Sequence, residues 1–205
     1  FEWRHKILAA IRALEGGISF SGIVEADELL MKYSEKGRKF KNKEEYQKAK
    51  KKKHPKVAVL VVTDREGNLL FKQVGKKKVK NEQLREELKN RLSENNLICV
   101  KPKKEFRKGV KGLQSKKVIV NKRQIKRGIY SVKIVENKIS DFKTWLSRFH
   151  GVATKYLQSY LMWFVIMNKY LKELIDPDIG RLLNLSSHDR WAWDKYREIV
   201  SQKYE

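Results

Sequence analysis

The sequence predicts an α/β fold, one mixed sheet flanked by helices with extra helices at its carboxyl end. Three observations predict it. Val57-Ala58-Val59-Leu60-Val61-Val62 is a continuous β-rich run, typical of a strand buried on both faces. Leu69 to Val74 and Leu97-Ile98-Cys99-Val100 are further β-rich runs separated by an amphipathic helical stripe. From Val135 onward the apolar residues recur only at helical spacing. The 205 residues suit one main domain with a substantial core.

Taken in order, Trp3, Ile7, Ile11 and Leu14 form a helical stripe that stops at Gly16-Gly17. Residues 1–16 therefore read as a leading helix from a truncated or missing N-terminal region. Residues 20–28 alternate as a strand that sets Ile23, Glu25 and Asp27 on one face. Lys36 to Lys56 lacks apolar periodicity and reads as a long basic loop, with one helical turn around Glu44 to Ala49. Arg65-Glu66-Gly67-Asn68 supplies the turn between the 57–62 and 69–74 strands. Leu84, Leu88 and Leu92 mark a helix from Asn81 to Leu92, and Lys117 to Val120 adds a fifth strand after Leu97–Val100. Val135, Ile139, Phe142, Leu146 and Phe149 form a helical stripe broken by Gly151, and Val152 to Ile175 predicts a second long helix ended by Pro177. This order is that of a ribonuclease H-like sheet. It divides the chain into a main domain at 17–175 and a C-terminal helical extension at 176–205.

The charge is uneven. Lys and Arg number 48 against 24 Asp and Glu, a formal +24, which calls for a polyanionic partner. Residues 36–56 hold eleven basic and two acidic residues, and residues 101–127 hold twelve and one, so most of the excess lies in two segments. Clustering of this kind is the footprint of nucleic-acid binding. The candidate phosphate contacts are Lys36, Arg38, Lys39, Lys41, Lys50, Lys51, Lys52 and Lys53 in the first segment. In the second they are Lys103, Lys104, Arg107, Lys108, Lys122, Arg123, Lys126 and Arg127. The most apolar stretch, Leu157 to Ile166, is half the ~20 residues a membrane span needs, so no membrane partner is expected. A lone cysteine, Cys99, excludes an internal disulfide. With no signal-peptide core at the start, it fits a cytoplasmic location, nucleoid-associated in a bacterium.

Four strings carry a resemblance. Phe1-x-Trp3-Arg4-His5-Lys6-Ile7-Leu8, Gly22-Ile23-Val24-Glu25-Ala26-Asp27-Glu28, Tyr33-Ser34-Glu35-Lys36-Gly37 and Phe149-x-Gly151-Val152-Ala153-Thr154-Lys155-Tyr156-Leu157 occur in that order. Together they resemble the DDE-type insertion-sequence transposases of the zinc-ribbon-containing group related to Merlin elements. The resemblance runs from residue 1 to about residue 165 and implies a ribonuclease H-like domain that acts on DNA. It also implies Mg²⁺ or Mn²⁺ held by acidic residues, because two metals about 3.5–4 Å apart need a shared carboxylate and flanking ones. Family members carry a zinc ribbon and a helical DNA-binding region ahead of this part, and neither is found here.

By this resemblance Asp27 matches the first carboxylate. Glu136, in Val135-Glu136-Asn137-Lys138, matches the last, and Lys143, two helical turns on, matches a phosphate-holding lysine. The second position departs from the pattern: where an Asp-Gly pair is expected, the chain has Lys101-Pro102. An ammonium cannot ligate a divalent cation and repels it. Glu105 is the nearby candidate for a substitute acid. The reading that follows is a transposase-derived domain binding double-stranded DNA, with strand-transfer chemistry lost and no metal retained. It would act as a homo-oligomer or in a larger nucleoprotein complex. The alternatives are a working two-metal transposase and an RNA-binding scaffold. RNA binding would call for exposed stacking rings, whereas Trp145, Tyr156, Tyr160 and Trp163 lie on or beside apolar stripes.

Overall fold

A computed structural model describes residues 2–121, 126–127, 129–170 and 190–201. Five strands form one mixed sheet: β1 (Ile23–Met31), β2 (Val57–Asp64), β3 (Leu69–Lys76), β4 (Leu97–Val100) and β5 (Lys116–Ile119), in the order β3-β2-β1-β4-β5. β1 pairs antiparallel with β2, β2 antiparallel with β3, and β1 and β4 run parallel, as do β4 and β5. This order and these senses are those of the ribonuclease H-like sheet that the sequence predicts. A second, two-stranded ladder joins β6 (Lys126–Arg127) to β7 (Tyr130–Ser131).

Period-two alternation divides the core in two. Every residue of β2 is buried. Val57, Val59 and Val61 face one cluster, which includes Phe71 of β3 and Phe142 of the helix α5 (Lys133–Ser147). Ala58, Leu60 and Val62 face the other, with Leu84 and Leu88 of α3 (Asn81–Lys89) and Phe106 and Val110 of α4 (Lys104–Lys111). On the α5 side lie also α1 (Glu2–Arg12) and α6 (Leu157–Tyr170), and α7 (Arg190–Ser201) packs on α1. Among the described residues no helix is long and apolar enough to cross a membrane.

Several expectations are corrected. The segment 36–56 is not all loop: α2 (Lys43–Lys51) forms a helix that buries none of its residues, which is why no apolar period announces it. Local signals make it instead. Asn42 caps Glu45 N–H, Glu44 and Glu45 stand in the first turn, and lysines fill the last. α4 is hidden among lysines, since only Phe106 and Val110 mark its inner face; Gly109 lets it close on α3, where an added Cβ would meet Leu84 Cδ2 at 2.8 Å. The second long helix begins at Leu157 rather than Val152, after a single 3₁₀ turn over Thr154–Tyr156, and residues 171–175 lie outside the described residues. Trp3 is 67% exposed, while Leu8, Ala9 and Ile11 are buried, because α1 is gripped between α6 and α7 rather than laid on one face. The 176–205 boundary falls outside the described residues, apart from α7 at 190–201.

The position of α5 depends on a carboxylate. Glu25, fully buried in β1, accepts hydrogen bonds on Oε2 from the backbone N–H groups of Ile134 (2.8 Å) and Val135 (3.1 Å) in the first turn of α5. Its Oε1 takes the Ser131 hydroxyl at 3.0 Å and an ion pair with Arg65 Nη2 at 3.1 Å. The N-cap of α5 offers no side-chain acceptor of its own, so Glu25 supplies both the cap and the negative charge that a helix N-terminus favours. Replacing Glu25 by Ala leaves these donors and Arg65 unmatched inside the protein. Chemical denaturation of Glu25→Ala is expected to show a loss of about 3–5 kcal/mol, and an unchanged midpoint would exclude Glu25 as the anchor of α5.

A smaller pH effect belongs to α1. His5 is buried against the Tyr156 ring, centroids 4.1 Å apart, and its imidazole is pushed down to about 4 by burial first and then by the charges of Arg4 and Lys155. Protonation is therefore easier in the unfolded chain, so stability is lost as pH falls from about 6.5 towards 4. His5→Gln should flatten this part of the stability–pH curve, measured as the difference between the two proteins at each pH.

Candidate carboxylate–lysine site and its relatives

Asp27 lies one residue beyond the parallel pairing of β1 with β4, whose last register pair is Ala26 with Val100. Lys101 follows β4 directly, so its side chain leaves the carboxyl end of β4 beside Asp27, which stands mid-way along the longer β1. Glu136 stands in the first turn of α5, carried to the same place by the Glu25 cap. The three meet: Lys101 Nζ lies 2.5 Å from Asp27 Oδ2 and 2.6 Å from Glu136 Oε1. The two carboxylates are thus brought within about 5 Å of each other, with an ammonium between them.

A second lysine completes the arrangement. Lys103 Nζ lies 3.0 Å from Asp27 Oδ1 and 2.9 Å from Glu28 Oε1. Asp27 Oδ1 also accepts the Glu28 N–H at 2.8 Å, so both oxygens of this buried carboxylate are occupied. The site holds three acids and two ammonium groups. Burial pushes the Lys101 ammonium down, but hydrogen bonds and charge from Asp27 and Glu136 outweigh it and hold it above the ordinary lysine value. A raised lysine pKa stabilises the fold below that ordinary value and loses its contribution only as pH climbs through the folded one, so the charge persists across the neutral range.

Residues 19–166 match the family described as the ISXO2-like transposase domain. The chain belongs to that family. No curated protein matches it. Among solved structures, a chain of a pre-cleavage Mos1 transpososome aligns at 11% identity and a TM-score of 0.37, covering 99% of this chain and 64% of that one. This transposase domain therefore spans less than two thirds of that relative's length.

Members of such a family are implied to hold divalent metal at this place, and the residues present do not fit one. The Lys101 ammonium takes the point between Asp27 and Glu136 where a cation would be shared, and at 4 Å each unit of positive charge would be opposed by about 4 kcal/mol at an effective dielectric near 20. Glu105 does not replace the missing acid: it sits on α4 in an ion pair with Lys78, and no contact joins it to Asp27. Among the described residues, no group of three or more His, Cys, Asp or Glu side chains could hold a metal ion. Cys99, paired in register with Glu25, is pushed up to about 11 by burial and then by the Glu25 charge, so it stays a thiol.

Lys143 is exposed on α5, roughly 10 Å beyond Glu136 along the helix axis, and is not part of this network. The basic residues fall into two groups. Lys36 gives its ammonium to the carbonyls of Phe149, His150 and Gly151, Arg38 pairs with Glu35 and Glu45, and Lys103 serves the site. Lys39, Lys41, Lys50, Lys51, Lys52 and Lys53 around α2, and Lys104, Arg107 and Lys108 on α4, are exposed. Lys122 and Arg123 lie outside the described residues, and Lys126 and Arg127 form β6. Trp145, Phe149, Tyr160 and Trp163 pack edge to face or tilted in one aromatic cluster, with Trp145 and Trp163 centroids 5.2 Å apart.

Sequence reasoning placed Glu25 on the same face as Asp27 but gave it no role; an acid in a strand otherwise reading as core was the available signal. Lys103 and Glu28 were missed as site members. A double-mutant cycle of Lys101→Met with Glu136→Gln should return a coupling of roughly 0.5–3 kcal/mol in thermal or chemical unfolding; additive single effects would mean that the bridge does not persist in solution.

Proposed function

We propose that this domain binds double-stranded DNA and does not cut it, its metal site having been replaced by a lysine-bridged one. The observation that supports this is the Lys101 ammonium seated between Asp27 and Glu136. Phosphoryl transfer on DNA by two metals needs carboxylates that pull both ions together, and here they are engaged by ammonium groups instead. Asp27, Glu136 and Lys143 then stand as the remnants of a cutting site, and the exposed lysines around α2 and α4 carry the DNA contacts. Membership of a transposase family points to the same DNA partner.

Two measurements test the reading. Duplex binding should weaken by roughly 10³–10⁵ between about 50 and 200 mM salt for six to ten phosphate contacts, with little dependence on sequence; no binding at low salt would sink it. Calorimetry with Mg²⁺ and Mn²⁺ should show weak uptake by the unmodified chain and stronger uptake by Lys101→Asp. Metal-dependent nicking of duplex DNA by the unmodified chain would make it a working transposase and overturn the proposal.

A further inference from the structure

Lys76, Lys77, Lys78 and Lys80 crowd the turn between the end of β3 and the start of α3. All four are exposed, while Val79 between them is buried. The carboxylate site and the DNA contacts around α2 and α4 include none of them. The turn is held on several sides. Lys77 N–H donates to Lys56 O at 2.7 Å, which sets the turn against the end of the 37–56 excursion. The Lys78 ammonium pairs with Glu105 on α4. Val79 N–H donates to Glu28 Oε2 at 3.2 Å, and the other oxygen of Glu28 holds Lys103 at 2.9 Å. Lys80 N–H donates to Gln83 Oε1, in the first turn of α3, at 3.0 Å. The turn therefore joins the two basic segments, 36–56 and 101–127, beside the carboxylate site.

The backbone of this turn carries a cost that no internal contact returns. Lys77 has a φ of 73°, one of two non-glycine residues in the left-handed region among the described residues. That conformation presses Cβ against the following carbonyl oxygen, a clash that glycine does not have. The chain reverses there so that Val79 enters the core and its N–H reaches Glu28. Glycine would make the same reversal unstrained. What lysine adds is its side chain, and among the described residues the Lys77 ammonium has no partner. Strain of this kind, held in place by its surroundings at an exposed charge, marks a contact with something outside the chain.

We propose that Lys77 holds a backbone phosphate of the bound nucleic acid, and that its turn makes one continuous contact surface of the excursion's lysines and α4. Lys52, Lys53 and Lys56 lie on one side of the turn in the chain's path, and Lys104, Arg107 and Lys108 stand on α4, all exposed. The one acid of α4, Glu105, is neutralised by Lys78, so no free carboxylate interrupts the surface there. A sugar-phosphate backbone, with charges at regular steps, matches such a row of cations. The proposal rests on the nucleic-acid reading above and deepens it, by naming the contact that unites its two basic segments.

The test uses the full chain and a short fluorescently labelled duplex, read by anisotropy from about 50 to 200 mM salt. Lys77→Gly should weaken binding by roughly five- to ten-fold at about 0.1 M salt, and lower the slope of log affinity against log salt by about 0.9, the loss of one phosphate. Its melting temperature should stay level or rise, because the clash is relieved. Lys77→Arg should keep both affinity and slope. Lys89→Gln removes the same charge from the exposed far end of α3 and should leave affinity within about two-fold, since screening acts over ~10 Å. Equal losses from Lys77→Gly and Lys89→Gln would reduce Lys77 to a share of the net charge and overturn the proposal, as would a melting temperature that falls. Duplex binding that Lys77→Gly leaves unchanged overturns it while the duplex function stands. If the duplex does not bind but a single-stranded RNA does, with a loss on Lys77→Gly, the duplex function falls and the contact stands; binding of neither removes both.

Discussion

Glu25 is a fully buried carboxylate in the central strand, and the geometry of the whole site follows from what it binds. Its two oxygens collect the first free N–H groups of α5, a serine hydroxyl and the Arg65 guanidinium, so its desolvation is offset by partners on every side. Because Glu25 and Asp27 are two residues apart on one face of β1, fixing the start of α5 to Glu25 sets the first turn of that helix over Asp27. Glu136 is carried to the site by that cap and there meets Lys101. A polar residue that reads as an intrusion into a hydrophobic strand is thus what joins sheet and helix.

Charge at the site is balanced differently from a metal centre but on the same footing. Carboxylates brought this close repel unless something positive lies between them. The fold holds them close by its topology, so a cation has to stand between them. Here Lys101 and Lys103 provide it, and because they are tethered to the chain, neither dilution nor chelation removes them.

The sheet was legible because β2 and its neighbours write their burial in runs of β-branched residues, and α5 because Val135, Ile139, Phe142 and Leu146 keep one stripe. Asp27, Glu136 and Lys101 were legible only through resemblance; no spacing in the sequence joins residues 27, 101 and 136, which meet through parallel pairing of β1 with β4 and the docking of α5. α2 and α4 escaped because hydrophobic periodicity detects helices by what they bury. α2 buries nothing and is written in caps and charges, and α4 shows two apolar residues among lysines. The twofold use of lysine, some as internal staples and some as open charge, cannot be read from composition, which counts Lys36 and Lys50 alike.

Both ends of α5 are held by one short stretch of chain: Glu25 grips its beginning, and Lys36, five residues past the end of β1, grips the carbonyls beyond its end. The segment from Gly37 to Lys56 is an excursion that starts after that grip is complete, is tied back by His54 stacked on Tyr33 and by the Lys77 N–H donated to Lys56 O, and rejoins the sheet at Val57. α2 buries no residue, and lengthening a surface excursion costs little in closure entropy. The excursion can therefore grow, shrink or change its lysines while the carboxylates keep their spacing. In this architecture the lysine-bearing excursion and the frame that aligns the carboxylates can evolve on separate schedules.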